Sequence, residues 1–332
     1  MNLKRKHHFV SQFYLRKWYN NKGKIIVWDG DKNFPSKSES IAFEKNLYKL
    51  IELTPKQEKF FHDLISSLEL ENTSTYQLFA KVIFETREFM RKRFETLDTL
   101  GIKVSEELNN IEKEFHHNVI EDKFSYQEER FSTLLGKINV EPNLELSLMD
   151  YDTLIHFIMF QYFRTPKKIN EAIFNMKDSN IMEKFDFSKE QYQFFMMLLA
   201  QCFLERIHLS CLSQLYKINI YKNTSKINFI TSDDPCFNQS FDKNEFYIQL
   251  PISPNIMIEL AENDCNKKYK ESMKEYFNFN KEYSENIILD KKLIGFDFIS
   301  ENKVIELNQK IFDKRDRFIY AQTQSDIASL ST

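Results

Sequence analysis

Strand-like segments stand at both ends of this 332-residue chain, and the long stretch between them reads as helix. From Thr54-Pro55 to about Lys217 the apolar residues recur at helical spacing, and Pro55 suits a first helical turn. Ser74 to Leu100 runs without a breaker until Gly101. Val104 to Lys123 is charged with sparse apolar positions, whereas Leu144 to Phe163 and Ser188 to Tyr216 are apolar enough to be inner helices.

On either side the period shortens. The N-terminal part predicts a short helix over 8–19, a strand from Lys24 to Trp28 and an extended piece around Ser40 to Tyr48. After Tyr216, strands are predicted at Ile218–Tyr221, Lys226–Thr231, Glu245–Leu250 and Met257–Leu260, then a helix over Ser300–Lys314 and a last strand over Arg317–Ala321. Strands that far apart in sequence satisfy their edges most economically by pairing with one another. The expected fold is α+β: one mixed sheet built from N- and C-terminal strands, with a large central helical insertion. The expected organisation is 1–53 and 218–332 completing that sheet around a helical region 54–217, as one integrated domain. Ser74–Leu100 and Val104–Lys123 are expected to form a projecting antiparallel helical pair, because Gly101 supplies the turn.

Composition narrows the function classes. Hydrophobic residues at 42% and charged residues at 29% support a sizeable core and exclude global disorder. Five glycines and the absence of a Walker loop, a dinucleotide fingerprint, a Gly-x-Ser-x-Gly elbow or a His-Glu-x-x-His helix leave no nucleotide-cofactor motif. Net charge is -3, yet residues 1–24 carry seven lysines and arginines and no acid. A solvated basic edge is the commoner explanation of such a segment; the partner class it offers otherwise is nucleic acid or a nucleotide. No apolar run follows Lys4-Arg5-Lys6, the longest apolar stretch is Phe194 to Ala200, and the four cysteines (Cys202, Cys211, Cys236, Cys265) show no paired spacing. These features predict a cytoplasmic chain with no membrane segment; they do not set its oligomeric state.

Polar residues where apolar ones are expected mark the candidate site. His8 and Gln12, four apart, share a stripe hemmed by Phe9, Phe13 and Leu15, with His7 nearby. Gln161 lies on the apolar face of Leu154, Phe157 and Ile158, and Arg164 follows one turn later. An arginine in such a place requires a carboxylate, a phosphate or several carbonyls. The strand over 226–231 ends in Thr231-Ser232-Asp233-Asp234-Pro235, which is either a strand-end carboxylate site or a plain Asx turn. Asn308 faces inward beside Val304, Leu307 and Ile311. Glu114–His117 and Glu205–His208 have the Glu-x-x-His spacing of di-iron bundles, which chance alone supplies at a similar frequency.

The same positions carry a resemblance. Lys6-His7-His8-Phe9-Val10-Ser11-Gln12-Phe13-Tyr14-Leu15-Arg16 resembles the opening "KHHYVPQFYLRNF" of the bacterial domain-of-unknown-function family 4238. Gln161-Tyr162-Phe163-Arg164-Thr165-Pro166, then Thr231–Pro235 with Pro251-Ile252-Ser253-Pro254, then Leu307-Asn308 and Arg317-Phe318-Ile319-Tyr320 follow in the family's order. Ser11 stands where proline is usual, and Asp234 where Asn is common. The resemblance implies no activity.

The residues themselves suggest a phosphoester hydrolase, a nuclease or nucleotide-processing enzyme acting in bacterial defence or as a toxin. His8, Asp233 and Gln12 are its catalytic candidates; His7, Gln161, Arg164, Ser232, Asn308 and Arg317 are its substrate-binding candidates. His8 and Asp233 are residue types that hold a divalent metal, but two ligands do not define a site. The alternative is a non-catalytic module that senses a ligand in the same place. A third reading makes these residues staples between sheet and helices. Convergence of His8, Gln12, Arg164 and Asp233, with Arg164 paired to an acid of the 232–234 turn, is the geometric expectation.

Overall fold

A computed structural model describes residues 3–71, 76–140, 145–176, 179–213, 216–238, 247–262 and 294–330. Cys265 and the predicted starts of elements at Ser74, Leu144 and Glu245 fall outside the described residues. The fold is α+β, and the chain divides into two compact units. One comprises residues 1–7, 44–126 and 168–206; the other comprises 8–43, 127–167 and 207–332.

The second unit holds the sheets. Strands β2 (Ile25–Trp28) and β3 (Asn33–Ser36) join β11 (Ile319–Ala321) and β6 (Thr231–Ser232) in the order β3-β2-β11-β6, all antiparallel. Val27 sits opposite Tyr320, so the two ends of the chain do share a sheet. The predicted one mixed sheet is nonetheless several. A five-stranded sheet, β10-β5-β9-β8-β7, is built from β5 (Lys217–Asn223), β7 (Phe237–Asn238), β8 (Ile248–Ser253), β9 (Ile256–Ala261) and β10 (Ile294–Ile299). It is mixed because β10 runs parallel to β5. Its residues alternate: Ile218, Ile220, Ile258 and Leu260 occupy one face, Asn219, Tyr221 and Glu259 the other. Buried Glu259 accepts from Asn219 Nδ2, Tyr221 OH and Gln249 Nε2 at 2.7–2.9 Å, which satisfies its carboxylate without a cation.

Two short strands, β1 (Lys6–His8) and β4 (Phe43–Lys45), pair separately. The predicted helix over 8–19 is thus interrupted. Only α1 (Gln12–Leu15) and the 3-10 turn Arg16–Trp18 are helical, and Ser11 at the N-cap is extended. The predicted strand over 226–231 is ladder-bonded only at its end, because side chains of a later helix occupy its backbone groups, as described below.

The helices follow in chain order: α2 (Pro55–Ser67), a π-helical turn (Gln77–Phe84) leading into α3 (Glu85–Thr99), α4 (Glu106–Val140), α5 (Leu148–Phe163), α6 (Pro166–Asn175), α7 (Ile181–Lys184), α8 (Lys189–Ser213), α9 (Glu301–Lys314) and α10 (Gln324–Ala328). In the helical unit, Thr54 and Gln57 form a capping box on α2. Gln57 Nε2 then donates to the carbonyls of Phe185 and Asp186, tying α2 to the segment after α7. The second helix of the expected pair is longer than predicted. α4 continues well past Lys123, Glu114 is half-buried, and the His116 carbonyl accepts from Leu50 N–H at 2.8 Å. Leu100, Ile102, Leu108 and Ile111, close in sequence to the turn at Gly101, are exposed apolar residues, as is Phe89 further up α3. Lys189–Leu212 is long and apolar enough to cross a membrane, and 61% of its most apolar window is buried inside the fold.

In the sheet unit the core joins Ile26, Phe229, Ile230, Met257, Ile319 and Ala321 to Val304, Leu307 and Ile311 of α9. Ser300 caps α9 by accepting from Lys303 N–H.

Candidate functional site

The corner between α5 and α6 bonds to the N-terminal block through His8 and Ser11 and to the acidic turn through Asp234. Arg164 is the C-cap of α5, and Pro166 starts α6 as a first-turn residue. Residues 164 to 167 span this junction of two helices and reach two groups of partners.

Arg164 serves the first group. It is 1% exposed, and its Nη1 donates to Glu128 Oε1 at 2.6 Å and to Ser11 Oγ at 3.0 Å. Nη2 donates to the His8 carbonyl, and the guanidinium lies 4.3 Å from the Phe160 ring centroid. Ser11 is the hub of this network: its hydroxyl donates to Glu128 at 2.7 Å and accepts from Gln161 Nε2 at 2.8 Å. Gln12 Nε2 donates to His8 Nδ1 at 3.3 Å, and Gln12 Oε1 accepts from Arg16 at 3.2 Å. His8 Nδ1 is thus an acceptor, which leaves Nε2 to carry the proton of the neutral ring.

Thr165 and Lys167 serve the second group. Thr165 Oγ1 donates to Asp234 Oδ1 at 2.9 Å, and Lys167 Nζ stands 3.4 Å from Asp234 Oδ2. The Asp234 N–H donates to Ser232 Oγ at 3.1 Å, so the acidic turn is an Asx-like turn with both acids buried. Asp233, 1% exposed, accepts from the N–H groups of Asp316 (3.1 Å) and Arg317 (3.0 and 3.2 Å). Burial pushes its carboxyl up to about 6, against those hydrogen bonds, which favour the ionised form. The loop it pins exposes 55% of the Arg317 side chain, whose Nε is 3.3 Å from Asp316 and 4.0 Å from Asp233. Lys167 also donates to the carbonyls of Lys314 and Arg315, at the C-terminus of α9, where a cation is favoured.

Several expectations are corrected by these partners. The carboxylate of Arg164 is Glu128, not an acid of the 232–234 turn. His7 belongs to the helical unit, fully buried, and its Nδ1 accepts from Tyr48 N–H at 2.6 Å while Nε2 donates to the Lys4 carbonyl at 2.8 Å. Its two nitrogens are consumed by backbone, so it is a staple and not a substrate ligand. Asn308 is another: Oδ1 accepts from Ile230 N–H at 3.1 Å and Nδ2 donates to the Asn228 carbonyl at 2.8 Å, replacing a neighbouring strand. The Glu-x-x-His reading fails as well, since His208 Nε2 is 2.8 Å from Asp152 and stacks on His156 at 4.9 Å. Among the described residues no group of three His, Cys, Asp or Glu side chains is placed to hold a metal.

Sequence reasoning missed Glu128, Ser11, Thr165 and Lys167. Thr165 and Ser11 were visible as members of the blocks; Glu128 was hidden in a charged helix. Two cavities of about 660 Å³ lie in the helical unit, one lined by Glu58, His62, Tyr76 and Glu88, the other by Arg87, Arg91 and His116. None of the predicted site residues lines them.

Comparison with known proteins agrees with the block pattern. The family described as "Protein of unknown function (DUF4238)" matches residues 6–325, and the chain belongs to it. No curated protein and no solved structure matches the chain.

Proposed function

We propose that this DUF4238 member acts on a phosphoester at the corner formed by Asp233, Lys167 and Arg317. The observation that carries the reading is Asp233: a carboxyl pushed up to about 6 by burial, beside an exposed guanidinium. A general base works best when it titrates near the operating pH, and Asp233 meets that condition. Arg317 offers a planar fork suited to a phosphoryl group, and Lys167 adds a second cation already held within the corner. In this reading water attacks the phosphorus as Asp233 takes its proton, the ester P–O bond breaks, and the leaving alkoxide takes that proton back from Asp233, while the two cations stabilise the developing phosphoryl charge. His8 and Gln12 orient the Arg164 corner through the His8 carbonyl and do not touch the reacting atoms.

A second reading is favoured by the first network. Arg164, Gln161 and Ser11 are buried and bonded to one another, which suits a rigid recognition module with no turnover. The experiment that separates the two is turnover and binding of simple phosphomonoesters and phosphodiesters by the purified chain and by Asp233→Asn and Arg317→Ala. Enzyme chemistry predicts turnover that both substitutions lower by at least a hundredfold. A recognition module predicts no turnover and binding that Arg317→Ala weakens. Turnover that survives both substitutions overturns the proposed site.

A further inference from the structure

The loop that Asp233 pins carries a feature the phosphate chemistry does not use. Arg315, just before the two backbone N–H groups held by Asp233, lies with its guanidinium 3.9 Å from the Phe312 ring centroid and 4.7 Å from that of Trp28. Trp28 and Phe312 pack against each other at 5.0 Å with a 38° tilt. Arg315 Nη1 donates to the Phe312 carbonyl, which holds the guanidinium plane in place. No carboxylate among the described residues pairs with Arg315, so its charge is offset only by ring faces and a carbonyl. Trp28, Phe312 and Arg315 are all half-buried, and Arg317, two residues on, lies 5.6 Å from the Phe318 ring.

We infer that the Trp28–Phe312–Arg315 stack is a base-recognition platform, so that the ligand of this corner is a nucleoside phosphate, free or within a single strand. Nucleobases stack on aromatic rings and on guanidinium planes alike, and a fixed platform gains more from stacking than a mobile one. Arg315 of the platform and the exposed guanidinium of Arg317 lie two residues apart on the loop between α9 and β11, an arrangement suited to taking base and phosphate of one nucleotide. This rests on the phosphate reading of the same corner and adds the chemical class of its ligand.

Intrinsic fluorescence tests it directly. The chain has two tryptophans, and Trp18 is fully buried in the core with its Nε1 on the Phe229 carbonyl, so quenching by a stacking base reports Trp28. Titration of the full chain with adenosine monophosphate and with a short single-stranded oligonucleotide is expected to quench emission, whereas ribose 5-phosphate and inorganic phosphate leave it unchanged. Trp28→Phe keeps a ring in the stack and should abolish the signal. Arg315→Lys keeps the charge but loses the plane, and should weaken binding about tenfold. Tighter, salt-dependent binding of the oligonucleotide identifies a strand as the ligand; equal binding identifies the free nucleotide. Quenching by ribose 5-phosphate as strong as by adenosine monophosphate, or none by any nucleoside phosphate at millimolar concentration, overturns the platform. If quenching occurs without hydrolysis of any phosphoester, the platform stands and the enzymatic reading falls.

Discussion

Arg164 Nη1 stands 2.6 Å from Glu128 Oε1, while the next residue, Thr165, donates to Asp234. Two adjacent residues at one helix end thus hold two separate carboxylates. The buried cation has its own partner, and Asp233 is left to pin the loop before β11. Removing that partner strands a buried charge. Glu128→Ala is expected to destabilise the fold by about 3 kcal/mol, toward the lower end for a broken buried pair because Glu128 is 23% exposed. Urea denaturation monitored by circular dichroism measures it, and a loss below about 1 kcal/mol contradicts the pairing.

Ser11 joins Glu128, Gln161 and Arg164 through one hydroxyl. Its φ of -59° and ψ of 133° suit proline, the residue usual at this place in the resemblance. Ser11→Pro should therefore be accepted by the backbone yet lose the hydroxyl's three bonds. A cost of about 1–3 kcal/mol is expected for either Ser11→Pro or Ser11→Ala. Equal stability of both variants and the parent chain would show that the hub contributes nothing.

Asn308 stands in for a strand by bonding Ile230 N–H and the Asn228 carbonyl. Asn308→Leu leaves a buried donor and a buried acceptor unmatched, at a cost of about 2–4 kcal/mol. Hydrogen exchange of the Ile230 amide should accelerate along with it. An amide as protected as in the parent chain would mean that another group takes over.

Two of the buried titratable groups, Asp233 and His7, pull stability in opposite directions with pH. The Asp233 carboxyl titrates near 6 in the folded chain against 3.8 as its ordinary value. Between those values the folded state binds a proton that the unfolded state has released, so its contribution falls as pH rises through the window and is flat above it. His7 is held below its ordinary 6.5 by burial, so its contribution is lost as pH falls through 6.5. Asp233→Asn should remove the first trend and leave the second. Parallel stability curves for parent and variant from pH 4 to 6 would contradict the raised carboxyl.

Much of this was legible in the sequence. Alternation marked the terminal strands, and the shared sheet follows from edges that must pair. Arg164, Asn308 and Asp233 stood out as polar groups in apolar settings, and each is indeed buried and bonded. What periodicity does not carry is the identity of the partner. Glu128 lies 36 residues before Arg164 in a helix whose charges resemble a solvated face. A side chain that completes a backbone ladder, as Asn308 does, has the same sequence signature as one that faces a substrate. Strand β10, with Gly295 under the Asn219 side chain, follows a segment with no clear period and went unrecognised.

The central claim is that Asp233 supplies a proton-accepting carboxylate beside Arg317, and the pH dependence of phosphoester turnover tests it most directly. The account predicts kcat/KM that rises as pH passes about 6 and levels off above it, with the rise and most of the rate lost in Asp233→Asn. Turnover that is flat from pH 5 to 7, or that is unchanged in Asp233→Asn, contradicts it.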